Sequence, residues 1–431
     1  MSMQIVDTMM VGRLPNSAEA IGAVSLGGIL FYTVGVFGSG LLLGLDTVVS
    51  QSFGAGEIEE CHRSLVASAY LTLILTPVLM GLVLLWVPAL RSFGIQPDVL
   101  QLAFPYLNAL NWSMLPLLLY FGLRRYLQGM NLVKPVAFAL VSANLVNVLG
   151  NWMLIYGRLG APAMGTEGAG WATCISRGYM ALVLWGYALY YDRKYKTGLP
   201  DISWKPHWAR MQRLTALGLP AATQLALEVG VFALVTALMG RLDAVSLASH
   251  QVALNTIAFT YMVPLGIGAA AAVRVGQALG RRDPTAAALS GWTAIGLGAA
   301  FMSAAAVVLW LAPQWIVRIY TSDPNVLRVG VMLLFIGAFF QLFDGVQAAA
   351  TGALRGAGDT HTAMITHIAS YWLLGLPLGY WLCFGRGWGA SGLWVGLCVA
   401  LITIGIVLLV AWRRKVRYFT VIEKRDVIVS Q

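Results

Sequence analysis

Three carboxylates, Asp7, Glu228 and Asp344, lie inside stretches that are otherwise apolar. Glu228 falls near the middle of 217–234, LGLPAATQLALEVGVFAL, and Gln224 one turn earlier shares its helical face. Asp344 has Gln341 and Gln347 three residues to either side, a polar stripe on one face. Asn147 and Asn151 are four apart and also share a face. A carboxylate at mid-bilayer costs at least ~2.5–3.5 kcal/mol, so it turns towards a polar interior. An asparagine there needs partners for its amide. Two chemistries suit such groups. In one, their oxygens hold a cation: Asp7 with Asn147 and Asn151 supplies hard oxygen ligands, and Glu228 is an ion-coupling carboxylate in a central cavity that Asp344 also lines. In the other, each side chain only closes a hydrogen bond between helices. His250, Gln251 and Asn255 form a further polar patch. Arg177, also inside an apolar run, calls for an acid or an aqueous cavity.

The elements that must position these residues are membrane helices. The chain has 431 residues, 58% hydrophobic and 11% charged, with mean hydropathy +0.74; that balance excludes a soluble domain and indicates an all-α polytopic membrane protein. A span needs about 20 apolar residues. The apolar runs leave room for about twelve, at 20–45, 64–90, 100–123, 135–156, 167–190, 212–239, 245–272, 286–316, 327–352, 362–384 and 389–412, after an incomplete one at 1–12. Residues 1–12 are too short to span and lack the basic flank and cleavage site of a signal peptide. They read as the second half of a helix, and the repeat described next implies roughly 18 further apolar residues upstream.

Gln51-Ser52-Phe53-Gly54 corresponds to Gln277-Ala278-Leu279-Gly280, Pro97-Asp98-Val99-Leu100 to Pro324-Asn325-Val326-Leu327, and Leu127-Gln128-Gly129 to Leu354-Arg355-Gly356. Three matches in order at a nearly constant offset indicate two related six-helix halves. An even number of helices per half makes them parallel repeats. Glu228 and Asp344 have no acidic counterpart in the first half, as expected if each half carries its own site. The expected organisation is an N-terminal lobe at 1–190, a linker at 191–213 rich in charge and proline, a C-terminal lobe at 214–412 and a basic tail at 413–431.

The net charge of +10 is a signal of topology, not of nucleic-acid binding. Twenty of the 28 Lys and Arg fall on one set of alternate loops and the tail, Lys424 and Arg425 among them; Arg91 belongs to the other eight. That places both termini and the 191–213 linker in the cytoplasm. Cys61, Cys174, Cys383 and Cys398 show no metal or disulfide spacing and read as packing residues. Gly40-x-x-x-Gly44, Gly352-x-x-x-Gly356 and Gly375-x-x-x-Gly379 permit close helix contact. Kinks are expected at Pro77, Pro116, Pro220, Pro264 and Pro377. Phe259, Tyr261 and Met262 either face a substrate or pack in the core, and core packing is the preferred reading. With no Gly-Lys dipeptide there is no Walker A loop and so no bound ATP, and neither HExxH nor GxSxG occurs. Nothing here is an enzyme's nucleophile–base pair, and no resident metal or cofactor is expected.

Several motifs together resemble one family from residue 1 to about 412: Asp7-Thr8-Met9-Met10-Val11-Gly12, Gln51…Gly54-Ala55-Gly56, Asn147…Asn151, Gly218-Leu219-Pro220…Glu228, Ser249-His250-Gln251-Val252-Ala253-Leu254-Asn255 and Gly352-Ala353-Leu354-Arg355-Gly356-Ala357-Gly358-Asp359-Thr360. They are similar to the MATE family of multidrug and toxic-compound extrusion antiporters, in its NorM-like branch. The resemblance implies twelve helices in two lobes, working by alternating access. It implies a monomer of the inner membrane that exchanges Na⁺ or H⁺ for small cationic, amphipathic drugs and whose other partners are membrane lipids. Glu228 and Asp344 match the family's C-lobe cation site, and Asp7, Asn147, Asn151 and Thr173 its N-lobe site. Gln224, Gln251, Asn255, Gln341, Gln347 and Arg177 are the candidates for the substrate cavity. The chain departs from the pattern at Phe340, where the family often has a tyrosine. A lipid-linked oligosaccharide flippase of the same superfamily is the rival; it would want a cavity rich in Arg and Lys to hold a pyrophosphate, and the acids of these spans suit cationic cargo better.

Overall fold

The computed structural model describes residues 2–92 and 96–429, with side chains described for 3–86 and 96–419; Arg91, Lys424 and Arg425 of the charge count lie outside those side chains. Among the described residues the chain is helical with no strand. Among the described residues nine helices are long and apolar enough to cross a membrane, ten if the bent pair Pro97–Trp112 and Met114–Gly129 is one span. The protein is therefore a polytopic all-α membrane protein.

The chain divides into two compact units, Met1–Val49 with Glu57–Ala222, and Ser50–Gly56 with Thr223–Gln431. The first unit holds α1 (Ser2–Val11), α2 (Ser17–Leu41), the start of α3 (Gly44–Gly54), α4 (Ile58–Ser92), α5 (Pro97–Trp112), α6 (Met114–Gly129), α7 (Val133–Tyr156), α8 (Thr166–Tyr195) and the start of α9 (Trp208–Gly240). Its core gathers Val24, Phe31, Tyr106, Met114 and Leu118. The expected linker is half helical, because α8 runs on to Tyr195 and α9 begins at Trp208. The span expected at 100–123 bends by 41° at Ser113. The cause is Pro116, which clashes with the carbonyl four residues earlier and cannot donate to it.

The second unit holds the rest of α9, α10 (Ala244–Gly280), α11 (Pro284–Leu311), α12 (Pro313–Tyr320), α13 (Pro324–Gly356), α14 (His361–His367), α15 (Leu376–Tyr380) and α16 (Ala390–Val429). The span expected at 286–316 is two helices, since Pro313 opens a new one after Ala312. The span expected at 362–384 contains two π-helical stretches, Ile368–Gly375 and Trp381–Gly385, on either side of the short α15 with Pro377. Asp243, Asp283 and Asp323 cap α10, α11 and α13 by accepting backbone N–H bonds. The core gathers Val235, Leu334, Phe340, Trp394 and Trp412.

The sequence repeat coincides with helix ends. Pro97 and Pro324 start α5 and α13; Gly129 and Gly356 end α6 and α13; Gly54 and Gly280 end α3 and α10. The first pair of repeated tetrapeptides also meets. A Cβ on Gly54 would stand 2.1 Å from the Gln277 carbonyl oxygen, and one on Gly280 2.0 Å from that of Gln51.

Candidate functional site

In the second unit the polar groups centre on α13. Gly352 and Gly356 let α13 lie directly on α10, where Cβ atoms would stand 2.0 Å from Gly268 O and 2.4 Å from Ala272 O. This seam fixes Gln341, Asp344 and Gln347 against α10, and all three are buried. Gln341 Nε2 donates to Thr260 Oγ1 at 2.9 Å. Gln347 Nε2 donates to Asp344 Oδ1 at 3.0 Å. His367 Nδ1 donates to the Ala363 carbonyl at 2.8 Å, which leaves Nε2 of the singly protonated ring an acceptor, and Gln347 Oε1, also an acceptor, lies 2.9 Å from it. Gln224 Nε2 lies 3.3 Å from His367 Nε2. A polar chain thus runs from Asp344 through Gln347 and His367 to Gln224.

Glu228 projects from α9 and is half-buried. Among the described residues it accepts no hydrogen bond, and neither it nor Asp344 forms an ion pair; the two carboxylates act on each other through their charge. Tyr371, in the first π-helical stretch, is 1% exposed, and its hydroxyl has no partner. Trp372 beside it donates to the Leu227 carbonyl at 3.3 Å, tying the stretch to the turn of α9 that carries Glu228. Two acids with no basic side chain paired to either among the described residues can take up a proton, a small metal ion or an organic cation.

In the first unit four predicted residues come together. Asp7 Oδ1 accepts from Asn151 Nδ2 at 2.7 Å and from Asn147 Nδ2 at 3.3 Å, and Oδ2 accepts from Thr173 Oγ1 at 2.8 Å. Asn147 Nδ2 also donates to Thr173 Oγ1, and Asn151 Nδ2 to Asn147 Oδ1. Asp7 is 1% exposed, Asn147 and Asn151 0% and Thr173 3%. Helix α1 brings the acid, α7 the asparagines and α8 the threonine, and Tyr156 OH donates to the Met10 carbonyl at 2.7 Å to pin α1 on α7. Asn151 Oδ1 has no hydrogen-bond partner. The donors satisfy the carboxylate as it stands. To ligate a cation, the two amides would turn their oxygens to it alongside Asp7 and Thr173.

Arg177, expected to need an acid or a cavity, packs over the Phe31 ring at 4.6 Å, donates to Ser113 Oγ and feels the charge of Asp7. Ser113, at the bend between α5 and α6, stands where the repeat places Phe340 in the other half. Gln251 and Asn255 are exposed on α10, on the same face as Phe259 and Met262, and no hydrogen bond joins them to the acids among the described residues. Phe259 and Met262, read as core packing, are 80% and 44% exposed. Period gives a helix its faces without saying which neighbour covers each. His250 is a satisfied core histidine: Trp394 Nε1 donates to Nδ1 at 3.1 Å, so Nε2 donates to Thr236 Oγ1 at 2.9 Å. His367 was not singled out from the sequence; the available signal was a histidine inside an apolar span, beside Thr366 and Ser370.

The MatE family profile matches residues 1–153 and 220–381. A probable multidrug resistance protein NorM of Brucella suis is 33% identical over 426 residues, covering 96% of this chain and 89% of its own. A probable NorM of Mesorhizobium japonicum is 34% identical over 425 residues, covering 96% and 90%. Among solved structures, the eukaryotic MATE transporter AtDTX14 superposes with a TM-score of 0.84 over 97% of this chain and 93% of its own, at 23% identity. That last likeness is one of fold.

Proposed function

The chain belongs to the MATE family of transporters, in its NorM-like branch, and on that premise we propose that it is a cation-coupled antiporter. It exports cationic, amphipathic compounds in exchange for Na⁺ or H⁺ by alternating access. One observation carries this reading: Glu228 and Asp344 lie within reach of each other's charge with no basic side chain paired to either among the described residues. Such a pair is stabilised by whichever cation binds it. An ion and a cationic cargo then compete for the same charge, and the differential affinity of the two conformational states couples their movements. Gln224, Gln341 and Gln347 lie with these acids and are assigned to the same cavity. The Asp7, Asn147, Asn151 and Thr173 cluster is the second cation-binding candidate, with Arg177 beside it. Two relatives carry multidrug-resistance names, which fits a broad range of cargo.

The charge distribution supports an inner-membrane protein with both termini cytoplasmic; a reporter fused after Lys415 reads cytoplasmic if so. The function is tested in proteoliposomes loaded with a fluorescent organic cation. Efflux should accelerate when an inward Na⁺ or H⁺ gradient is imposed and should be absent for an anionic analogue of similar size. Equal rates with and without either gradient would remove the antiport reading.

A further inference from the structure

On the first unit, two cavities adjoin whose linings include no residue of either acidic cluster. One, of about 390 Å³, is lined by Arg63, Ser203, Lys205, His207 and Arg210, with Val66 at its base. The other, of about 320 Å³, is apolar; α4, α6 and α8 line it through Leu65, Leu119, Leu123, Leu182 and Trp185, and Val66 belongs to it as well. Trp204 stands at the join. Its ring meets Trp185 edge-on at 6.0 Å, and Tyr70 OH donates to its carbonyl at 2.9 Å. Its neighbours Ser203 and Lys205 face the charged side.

The charges leave a positive surplus. Arg210 binds Glu60 through Nε at 2.7 Å and Nη2 at 3.0 Å, and Arg63 pairs with Glu59 and, at 3.8 Å, with Glu60. Arg213 also acts on Glu60. Lys205 forms no ion pair or hydrogen bond among the described residues. Of the three Lys and Arg side chains lining the cavity, Arg63 and Arg210 are offset by Glu59 and Glu60, and Lys205 is free to donate. In the apolar cavity, the Ser68 hydroxyl is already spent on the Leu65 carbonyl at 2.7 Å. A basic pocket, a tryptophan at its rim and an apolar groove behind it make the profile of a lipid lying along a helix bundle.

We propose that this pair of cavities binds one anionic glycerophospholipid. Its phosphate lies against Lys205 and the Arg63–Arg210 pair, and an acyl chain follows the groove between α4, α6 and α8. The site is separate from the cation sites and stands whether or not the antiport reading does. Trp204 marks headgroup depth, where indole rings favour the membrane interface.

The test uses the purified full-length chain in detergent. Thermal midpoint and lipid-bound mass are measured with dioleoyl phosphatidylglycerol, with dioleoyl phosphatidylcholine and with inorganic phosphate. Phosphatidylglycerol should raise the midpoint more than phosphatidylcholine, and phosphate alone should not. Lys205→Gln, at an exposed position, should weaken phosphatidylglycerol binding about fivefold, the effect of one basic residue at an anionic surface, and leave phosphatidylcholine unchanged. Gly122→Leu, whose Cβ meets only Ser68 Oγ at 3.4 Å, fills the groove and should weaken both lipids. The proposal is overturned if the wild type does not distinguish the two lipids, if phosphate alone gives the same shift, or if Lys205→Gln binds phosphatidylglycerol like the wild type.

Discussion

Asn151 donates its side-chain amide to Asp7 Oδ1 at 2.7 Å, the shortest of three bonds that hold a carboxylate only 1% exposed. A buried acceptor stripped of a donor costs about 1–3 kcal/mol, more when it is charged. Asn151→Leu should therefore lower the thermal midpoint of the purified protein. Asp7→Asn should cost less, and the double variant should be more stable than the sum of the two single losses. Strict additivity would mean that the bond contributes nothing.

Gln347 lies between Asp344 and His367, and it can hold only one orientation of its amide at a time. With Nε2 on the carboxylate, Oε1 faces His367 Nε2, an acceptor while Nδ1 donates to the Ala363 carbonyl; turning the amide over would put its N–H on His367 and its oxygen towards Asp344. His367 is thus a positioning residue for the group that touches Asp344. His367→Leu should leave the protein in the membrane but raise the half-saturating concentration of the coupling ion at least threefold; His367→Gln, which keeps a polar group facing Gln347, should recover part of that. An ion dependence unmoved by His367→Leu would detach the histidine from the site.

Asp243 caps α10, accepting from Ser246 N at 2.7 Å and from Ser246 Oγ at 2.9 Å, and these bonds hold its carboxyl below the usual range. The anion is the bonded form, so its stabilisation is fully present above the unfolded value of about 3.9 and is lost as pH falls through the lower folded value. Asp243→Ala should cost about 1 kcal/mol at neutral pH. The gap to the wild type should close below about pH 4, as read by thermal unfolding at a series of pH values. A gap that stays constant down to acid pH would show that the cap acts without its charge.

The acids were legible because a charge inside an apolar span has few structural explanations. The repeat was legible because proline and glycine mark helix ends, and Pro97, Pro324, Gly129 and Gly356 fall on them. The environment of each polar face was not. Gln251 and Asn255 share a face by period, yet that face is exposed, whereas Gln341 and Gln347 share one that is buried. Distortions at Pro116 and Pro377 were legible, but their form, a break at Ser113 and two π-helical stretches, was not, for a related reason. A proline signals a lost bond without saying how the neighbouring turns absorb it. His367 escaped because its partner Gln347 lies on a different helix, a pairing that spacing along the chain does not report.

The central claim is that Glu228 and Asp344 form the coupling site, and its most direct measurement is gradient-driven efflux by isosteric variants in proteoliposomes. Glu228→Gln and Asp344→Asn remove the charge and keep the volume, so a cavity penalty does not confuse the result. Each should abolish efflux driven by a Na⁺ or H⁺ gradient, with reconstituted protein and thermal midpoint close to the wild type. Wild-type efflux by both variants would contradict the account.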